Sequence, residues 1–353
     1  MGMPRRPHGF RWALLALPLA ALAAACTDSG PDCGEPSSCT IAELGETVDL
    51  RIGAAVRAGD LEDDATYRRL ASDEFASLTP DAELKWQQIE PEPYDYRFEQ
   101  ADQIVELAEA NEQEIRGHNL YWGQRIRTPD HINNLRDPES LTAAMRLHAE
   151  TVLGRYRDRI PRYDVVNEPF VYDEVERADS VYQEVLGDEW IAQAFELAHE
   201  VDPDAELWIN VTGASRVDGK HEAQLALVRD LLDAGIPLHG VGLETHIGIG
   251  GWDATQYATF VADYEALDVE VALTEVDYPA FGDVASDEET ADVYGEMVAV
   301  CARYEACVEV TFWSWHDAYI NLDRMDPDAR PGLFDSNGER KPYVPDLFLE
   351  SAG

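Results

Sequence analysis

From residue 50 onward the sequence alternates short apolar runs with longer amphipathic stretches, and this alternation constrains the fold more than any other feature. The apolar runs, which we interpret as strands, cover residues 50–56, 75–79, 114–121, 162–167, 206–210, 239–245, 269–275 and 308–314. Strands that alternate with helices are typical of βα units around a parallel sheet, and eight such units close a barrel. The sequence therefore predicts an α/β fold, a single (β/α)8 TIM barrel over residues 46–353.

The stretches between the predicted strands have the spacing of amphipathic helices. Residues 141–156, for example, place Met145, Leu147, Val152 and Leu153 among charged residues at a helical spacing. We expect such helices to surround the barrel with acidic outer faces, because charged side chains are rarely buried without a partner.

The amino terminus has the composition of an export signal and a tether. Three arginines precede an apolar run over residues 12–25, and Cys26 follows directly. This layout predicts a bacterial lipoprotein signal peptide at 1–25, with lipid on Cys26; the alternative is ordinary cleavage nearby. Residues 26–45, rich in Ser, Pro, Gly and acidic residues, are predicted to be a flexible tether. We expect the protein to be exported and either lipid-anchored to the cell envelope or secreted.

The charge balance is strongly acidic. The chain has 70 Asp and Glu residues against 27 Lys and Arg, which gives a formal net charge of −43. Such a surface repels nucleic acid and anionic membranes, so neither is an expected partner. Carboxylate-rich surfaces suit a protein that works in high salt, where screening relieves self-repulsion; the simpler alternative is that the acidity only aids solubility.

Two of the predicted strands end in a glutamate. Glu168 lies in DVVNEP, and Glu275 lies in VALTEVD. The carboxyl ends of barrel strands point their side chains into the mouth where substrates bind. A glycosidase that works by double displacement requires two carboxyl groups, one to protonate the leaving oxygen and one to attack the anomeric carbon. The alternative for the first motif alone is a turn at the end of a strand.

These motifs resemble those of glycoside hydrolase family 10, the retaining endo-β-1,4-xylanases on a TIM barrel, which carry V-N-E and T-E-L-D. The resemblance runs from about Arg51 to Phe348. It implies that Glu168 is the acid/base, that Glu275 is the nucleophile, and that the substrate is a polysaccharide, xylan or a related β-glycan. It requires neither a metal nor an organic cofactor, and we expect a monomer.

The same resemblance implies sugar-binding residues after strands two and three. TPDAELKW is similar to the family's T-P-E-N-x-M-K-W, and places Asp81 and Lys85 where they would hydrogen-bond a neighbouring sugar. RGHNLYWG is similar to R-G-H-T-L-V-W-H. There, His118 would bind hydroxyls of the sugar at the cleavage site and Trp122 would form part of its wall.

Further roles follow for the ends of strands four, six and eight. Asn167 would donate to the sugar 2-OH, where hydrogen bonds strengthen as charge develops. His246 would orient Glu275, and Trp313 in TFWSWHDAY would stack on a pyranose ring. Glu244 stands where the family has glutamine. We expect it to take a proton and, as a neutral acid, to donate the hydrogen bond that glutamine would supply.

The chain departs from the family at five positions that bear on the sugar. They are Ala82, Gly123, Gly213, Glu244 and Asn321. Each alters a sugar contact and leaves both catalytic carboxylates in place. A glycosidase acting on another β-linked polysaccharide or a decorated xylan is therefore the nearest alternative. A non-catalytic barrel that holds glycans at the cell surface is a further alternative, which the retained carboxylates disfavour.

The cysteines predict two small disulfide loops. If Cys26 carries lipid, the others form two pairs, Cys33 with Cys39 and Cys301 with Cys307, and each pair is separated by six positions. In an exported protein, disulfides explain this spacing more simply than a metal site, which would need histidines nearby. The second pair also resembles a disulfide that many family members carry just before strand eight.

Overall fold

A computed structural model describes residues 35–320 and 325–349. Eight strands pair in parallel, each with the next along the chain and the last with the first, so that they close a barrel. The strands are β1 Arg51–Val56, β2 Ser77–Pro80, β3 Glu114–Trp122, β4 Arg162–Asn167, β5 Glu206–Val211, β6 Gly240–Leu243, β7 Glu270–Val276 and β8 Cys307–Phe312. Every predicted strand overlaps one of these, and the predicted (β/α)8 fold is confirmed.

In the described residues one helix precedes β1, and at least one helix separates each strand from the next. The helices are α1 Ile41–Glu46, α2 Ala58–Asp63, α3 Ala65–Glu74, α4 Trp86–Ile89, α5 Glu99–Ala110, α6 Asp130–Asn133, α7 Pro138–Tyr156, α8 Val181–Leu186, α9 Trp190–Val201, α10 Lys220–Asp233, α11 Ala254–Glu265, α12 Asp287–Ala302 and α13 Asp346–Leu349. Short 3₁₀ turns cover Pro36–Ser38, Arg125–Arg127 and Gly187–Glu189. None of the helices in the described ranges is long and apolar enough to cross a membrane.

Helix α7 confirms the predicted amphipathic helix and corrects one of its residues. Met145, Val152 and Leu153 are buried against the barrel, whereas Leu147 is 39% exposed. The reason is geometric, because two residues along a helix turn the side chain by about 200°. Leu147 therefore lies almost opposite Met145, and its place in the predicted apolar face was wrong.

The packed domain begins before residue 46. Helix α1 starts with a capping box in which Thr40 and Glu43 exchange hydrogen bonds, and Ile41 and Leu44 are buried in the core. The segment 41–45, which we predicted to be tether, is thus part of the folded domain. The predicted signal peptide, with Cys26 and Cys33, lies outside the described residues, so lipidation and the Cys33–Cys39 pair stay predictions.

Two further features fix the barrel near its eighth strand. A disulfide joins Cys301 in α12 to Cys307 at the start of β8, as predicted. At the amino-terminal end of the barrel, Glu309 is 1% exposed and accepts hydrogen bonds from Arg162 at 2.7 Å and Ser77 at 2.7 Å. Burial works to raise the pKa of Glu309, but Arg162 and other arginines outweigh it and the pKa is lowered. This carboxylate is a charged structural element inside the barrel.

Candidate active site

The two predicted catalytic glutamates lie at the mouth of the barrel. Glu168 directly follows β4, and Glu275 lies near the carboxyl end of β7; they are 3% and 4% exposed. Both have left-handed backbone conformations, with φ of 48° and 67°. Residues other than glycine rarely adopt this conformation, and where they do the surrounding structure holds them, often at functional sites.

The carboxylate of Glu275 is held from both sides. Its Oε2 lies 2.9 Å from Nε2 of His246, and its Oε1 accepts a hydrogen bond of 2.9 Å from Nδ2 of Asn210. The other ring nitrogen of His246 lies 2.9 Å from Asp277, which in turn accepts from the backbone N–H of Ser314 at 2.8 Å. The imidazole is therefore fixed between two carboxylates, and it fixes the direction in which Glu275 points.

Asn210 of β5, a residue that the sequence analysis missed, joins several site residues. Its Nδ2 lies 2.8 Å from Oδ1 of Asn167 and 3.4 Å from Oε1 of Glu244, in addition to its hydrogen bond to Glu275. Its own Oδ1 accepts from the hydroxyl of Thr274 at 2.6 Å. Because an ionised carboxylate only accepts hydrogen bonds, the amide N–H groups of Asn210 point toward Glu275, and the hydroxyl of Thr274 donates to Oδ1. A buried asparagine within an apolar strand was the available signal.

Asn167 offers a hydrogen-bond donor to a ligand. Its Oδ1 accepts from Asn210, whereas its Nδ2 is buried and has no hydrogen-bond partner among the described residues. Leaving a buried donor unsatisfied costs about 1–3 kcal/mol. A sugar hydroxyl would satisfy it, and this is the role that the sequence predicts for Asn167.

The surroundings of Glu168 explain one of the departures from the family. Gln124 donates to the carboxylate of Glu168 from the segment that follows β3. A Cβ on Gly123 would lie 2.3 Å from the backbone oxygen of Glu168, and the N–H of Gly123 donates to the carbonyl of Asn167 at 2.7 Å. With this backbone no side chain fits at position 123, so Gly123 permits the close approach of β3 and β4. Sequence reasoning missed Gln124.

His118 of β3 is held beneath the site by a buried ion pair. Its Nδ1 lies 2.8 Å from Asp164, and its Nε2 lies 3.8 Å from Oε1 of Glu275. Arg116 donates twice to Asp164, at 3.1 and 2.6 Å. Burial works to raise the pKa of Asp164, but Arg116 and His118 outweigh it and the pKa is lowered. Asp164 is thus an ionised group that orients His118.

The remaining predicted residues form a cleft beside Glu275. Its lining includes Asp81, Lys85, Trp122, Trp313 and Glu275. Lys85 lies 3.8 Å from Asp81 and 4.6 Å from the ring centre of Trp122. Burial works to raise the pKa of Asp81, but Lys85 and Arg57 outweigh it and the pKa is lowered. Two indoles and a charged pair are a suitable surface for a pyranose, which offers an apolar face and a rim of hydroxyls.

One group of potential metal ligands occurs among the described residues, and it lies within this site. Ligand atoms of Glu244, His246 and Glu275 lie within 4.8 Å of one another. Both ring nitrogens of His246 already lie 2.9 Å from a carboxylate oxygen, one on Glu275 and one on Asp277. Hydrogen bonding accounts for the close approach of His246 and Glu275, and the amide of Asn210 contacts the carboxylates of both Glu244 and Glu275.

The structure brings the predicted catalytic, orienting and sugar-binding residues together at one end of the barrel. A buried carboxylate pair on two strands of a (β/α)8 barrel, beside a cleft lined by tryptophans, is characteristic of a barrel glycosidase. The profile of glycosyl hydrolase family 10 matches residues 40–347. The chain belongs to this family.

Individual relatives agree with the family match. The chain is 32% identical over 315 residues to endo-1,4-beta-xylanase B of Paenibacillus barcinonensis, with 83% of this chain and 92% of that protein covered. It is 34% identical over 277 residues to endo-1,4-beta-xylanase A of Phanerodontia chrysosporium, with 76% and 66% covered. The crystal structure of native xylanase 10B from Thermotoga maritima superposes with a TM-score of 0.80 at 27% identity, over 89% of this chain and 99% of that one.

Proposed function

We propose that this family 10 glycosyl hydrolase cleaves internal β-1,4-xylosidic bonds of xylan by double displacement, with Glu275 as the nucleophile and Glu168 as the acid/base. The observation that carries the mechanism is the environment of Glu275, whose two oxygens contact His246 and Asn210 at 2.9 Å each. The xylanase names of the relatives support the substrate.

In the first step Glu275 attacks the anomeric carbon while Glu168 protonates the glycosidic oxygen. The bond between that carbon and the leaving oxygen breaks, a bond to Glu275 forms, and the leaving sugar departs with the proton from Glu168. The contacts of His246 and Asn210 with Glu275 hold its carboxylate in a fixed direction, so little reorganisation is needed at the moment of attack.

In the second step water replaces the enzyme at the same carbon. Glu168, now a carboxylate, takes a proton from the water as its oxygen bonds to the anomeric carbon, and the bond to Glu275 breaks. The Nδ2 group of Asn167 donates to the 2-OH in both transition states. The product leaves with its anomeric configuration retained, and Glu168 is protonated again for the next cycle.

A second candidate activity is the same mechanism on another β-linked polysaccharide or a decorated xylan. The observation that favours it is Glu244, a buried carboxylate in the site where the family has glutamine. Release of reducing ends should be measured on xylan, arabinoxylan, β-glucan and mannan, with Glu275→Ala as the control. We expect the fastest release from xylan. Faster release from another glycan would overturn the substrate, and folded protein inactive on all four would favour the glycan-binding alternative.

We also propose that the protein is exported as a lipoprotein and acts as a monomer. The apolar run followed by Cys26 supports lipid attachment. In the bacterial host, Cys26→Ser should move the enzyme from the membrane fraction to the soluble fraction or the medium and remove a lipid mass from the mature protein. An unchanged distribution and mass would contradict the anchor. Light scattering of the enzyme lacking its lipid should give the mass of one chain.

A further inference from the structure

Lys220, the first residue of α10, is a buried lysine at the barrel mouth to which the mechanism above gives no role. It is 0% exposed. Its ammonium donates to the backbone carbonyl of Val171 at 2.6 Å and to that of Tyr172. These carbonyls belong to the segment that follows Glu168, so the ammonium ties this segment to α10.

Gly213 makes room for that ammonium. It has a left-handed φ of 67°, and a Cβ at this position would lie 2.6 Å from the carbonyl oxygen of Tyr172 and 3.0 Å from Nζ of Lys220. Gly213 is one of the positions at which the chain departs from its family. The departure therefore does more than remove a sugar contact, because it leaves space for a positive charge against the segment that follows Glu168.

The ammonium lies among carboxylates of the mouth. Burial lowers the pKa of Lys220 to about 8. Attraction to nearby carboxylates opposes this effect, most strongly from Glu244 and less strongly from Asp173 and Glu168. Arg216 adds a weaker repulsion. The group is therefore charged below about pH 8, and among these carboxylates Glu244 interacts with it most strongly.

We propose that Lys220 is a positioning residue of the catalytic centre, which fixes the segment after Glu168 and supplies the positive charge that balances Glu244. The proposal rests on the assignment of Glu168 and Glu275 given above. Glu244 stands near Asn210, whose amide donates toward it at 3.4 Å. Ligand atoms of Glu275 and His246 also lie within 4.8 Å of those of Glu244. The proposal assigns Glu244 a negative charge in place of the proton expected from the sequence.

The test compares Lys220→Met, Lys220→Arg, Glu244→Gln and the double variant Lys220→Met with Glu244→Gln, using the pH profile of kcat/KM on xylan. Removing a cation makes neighbouring carboxylates harder to ionise. Both limbs of the Lys220→Met profile should therefore move to higher pH, by about one unit, with about a tenfold loss of kcat/KM on the acidic side. Lys220→Arg should restore most of the profile. In the double variant the two shifts should offset each other, and both limbs should lie close to their wild-type positions, because one positive and one negative charge are removed together.

Lys341→Met is the matched control for loss of a buried lysine. Lys341 donates to the carbonyl of Arg330 at 2.7 Å and pairs with Asp287 and Asp317. Its removal should lower the melting temperature and leave both limbs of the profile in place. The proposal is overturned if Lys220→Met behaves in the same way.

Glu244→Gln alone keeps the proposal testable if Lys220→Met does not fold. Loss of a balanced carboxylate should move both limbs to lower pH, whereas limbs that stay in place would show that Glu244 is neutral and overturn the proposal. A wild-type enzyme without activity on xylan would instead refute the proposed substrate, which is a different result from active variants with unmoved limbs.

Discussion

Two buried carboxylates at opposite ends of the barrel have different partners. At the amino-terminal end, Glu309 contacts the guanidinium groups of Arg162 at 2.7 Å and Arg51 at 3.6 Å. At the mouth, Glu275 contacts the imidazole of His246 and the amide of Asn210. The first environment neutralises a charge, and the second holds a carboxylate in a fixed direction.

This difference suits Glu309 to a role in stability and Glu275 to a role in catalysis. A buried carboxylate bound by arginine has its charge compensated, and removal of one partner is strongly destabilising because it leaves the other uncompensated. A carboxylate held by an amide and an imidazole keeps electron density for attack on carbon. We therefore expect substitutions at the mouth to affect mainly activity, and substitutions at the amino-terminal end to affect mainly stability.

A large loss of activity without unfolding is expected for Glu168→Ala. Substrates with poor leaving groups, such as xylan, need a proton from Glu168, so kcat/KM on xylan should fall by about 10²–10⁴-fold. Aryl xylosides with good leaving groups should lose far less in the first step, and the melting temperature should change little. Equal losses on both substrate types, measured by steady-state kinetics, would contradict the role of Glu168.

The opposite pattern is expected for Glu309→Gln. Urea unfolding should show a loss of about 3–5 kcal/mol, because Arg162 loses its buried partner and keeps only partners that are nearly half exposed, while the activity per folded molecule stays close to that of the wild type. Glu206→Gln is the matched control, since Glu206 pairs with the same arginine at 3.1 Å but is 46% exposed. That pair should contribute at most about 1 kcal/mol. A similar loss for both variants would show that burial of Glu309 does not set its contribution to stability.

The lowered pKa of Glu309 gives this stability difference a pH dependence. Its pKa in the folded protein lies below the value of 4.5 for a free side chain, so the native state binds fewer protons than the unfolded state as pH falls. The contribution is complete above about pH 4.5 and is lost as pH falls through the folded pKa. The difference in unfolding free energy between wild type and Glu309→Gln should therefore shrink below pH 4.5. If the difference in unfolding free energy grows in acid instead, the pKa of Glu309 is not lowered in the folded protein.

The smallest effect is expected from salt acting on the whole surface. At a net charge of −43, screening should reduce repulsion among exposed carboxylates. The buried pair of Glu309 and Arg162 should be affected much less, because salt screens buried charges weakly. The melting temperature should rise between low and molar sodium chloride, with a similar rise in Glu309→Gln. A flat or falling melting temperature would contradict the predicted adaptation to high salt.

The fold could be predicted from the sequence, and Glu168 and Glu275 could be proposed as the catalytic pair, because each rests on a local pattern. The apolar runs that predict strands consist of consecutive residues, and Glu168 and Glu275 each follow such a run. Asn210, Gln124 and Lys220 were missed because their importance comes from neighbours on other elements. Asn210, for example, connects Glu275 of β7 with the end of β4, and no spacing within β5 encodes that contact.

The departures at Gly123 and Gly213 show the same limit. From sequence each was a lost sugar contact. In the structure each is a place where a side chain would collide, with the backbone of Glu168 in one case and with Tyr172 and Lys220 in the other. Steric exclusion of this kind depends on the paths of two separate segments of chain, so it becomes visible only when both are folded.

The central claim, that Glu275 attacks the sugar, is tested most directly by trapping the covalent intermediate. A 2-deoxy-2-fluoro xylobioside with a good leaving group slows both steps, because fluorine disfavours positive charge at the anomeric carbon, and it slows hydrolysis of the intermediate most. Mass spectrometry of the digested enzyme should find one sugar adduct, on the peptide that contains Glu275, and none in Glu275→Gln. An adduct on Glu168, or an enzyme that turns over xylan with inversion and never carries an adduct, would contradict the account.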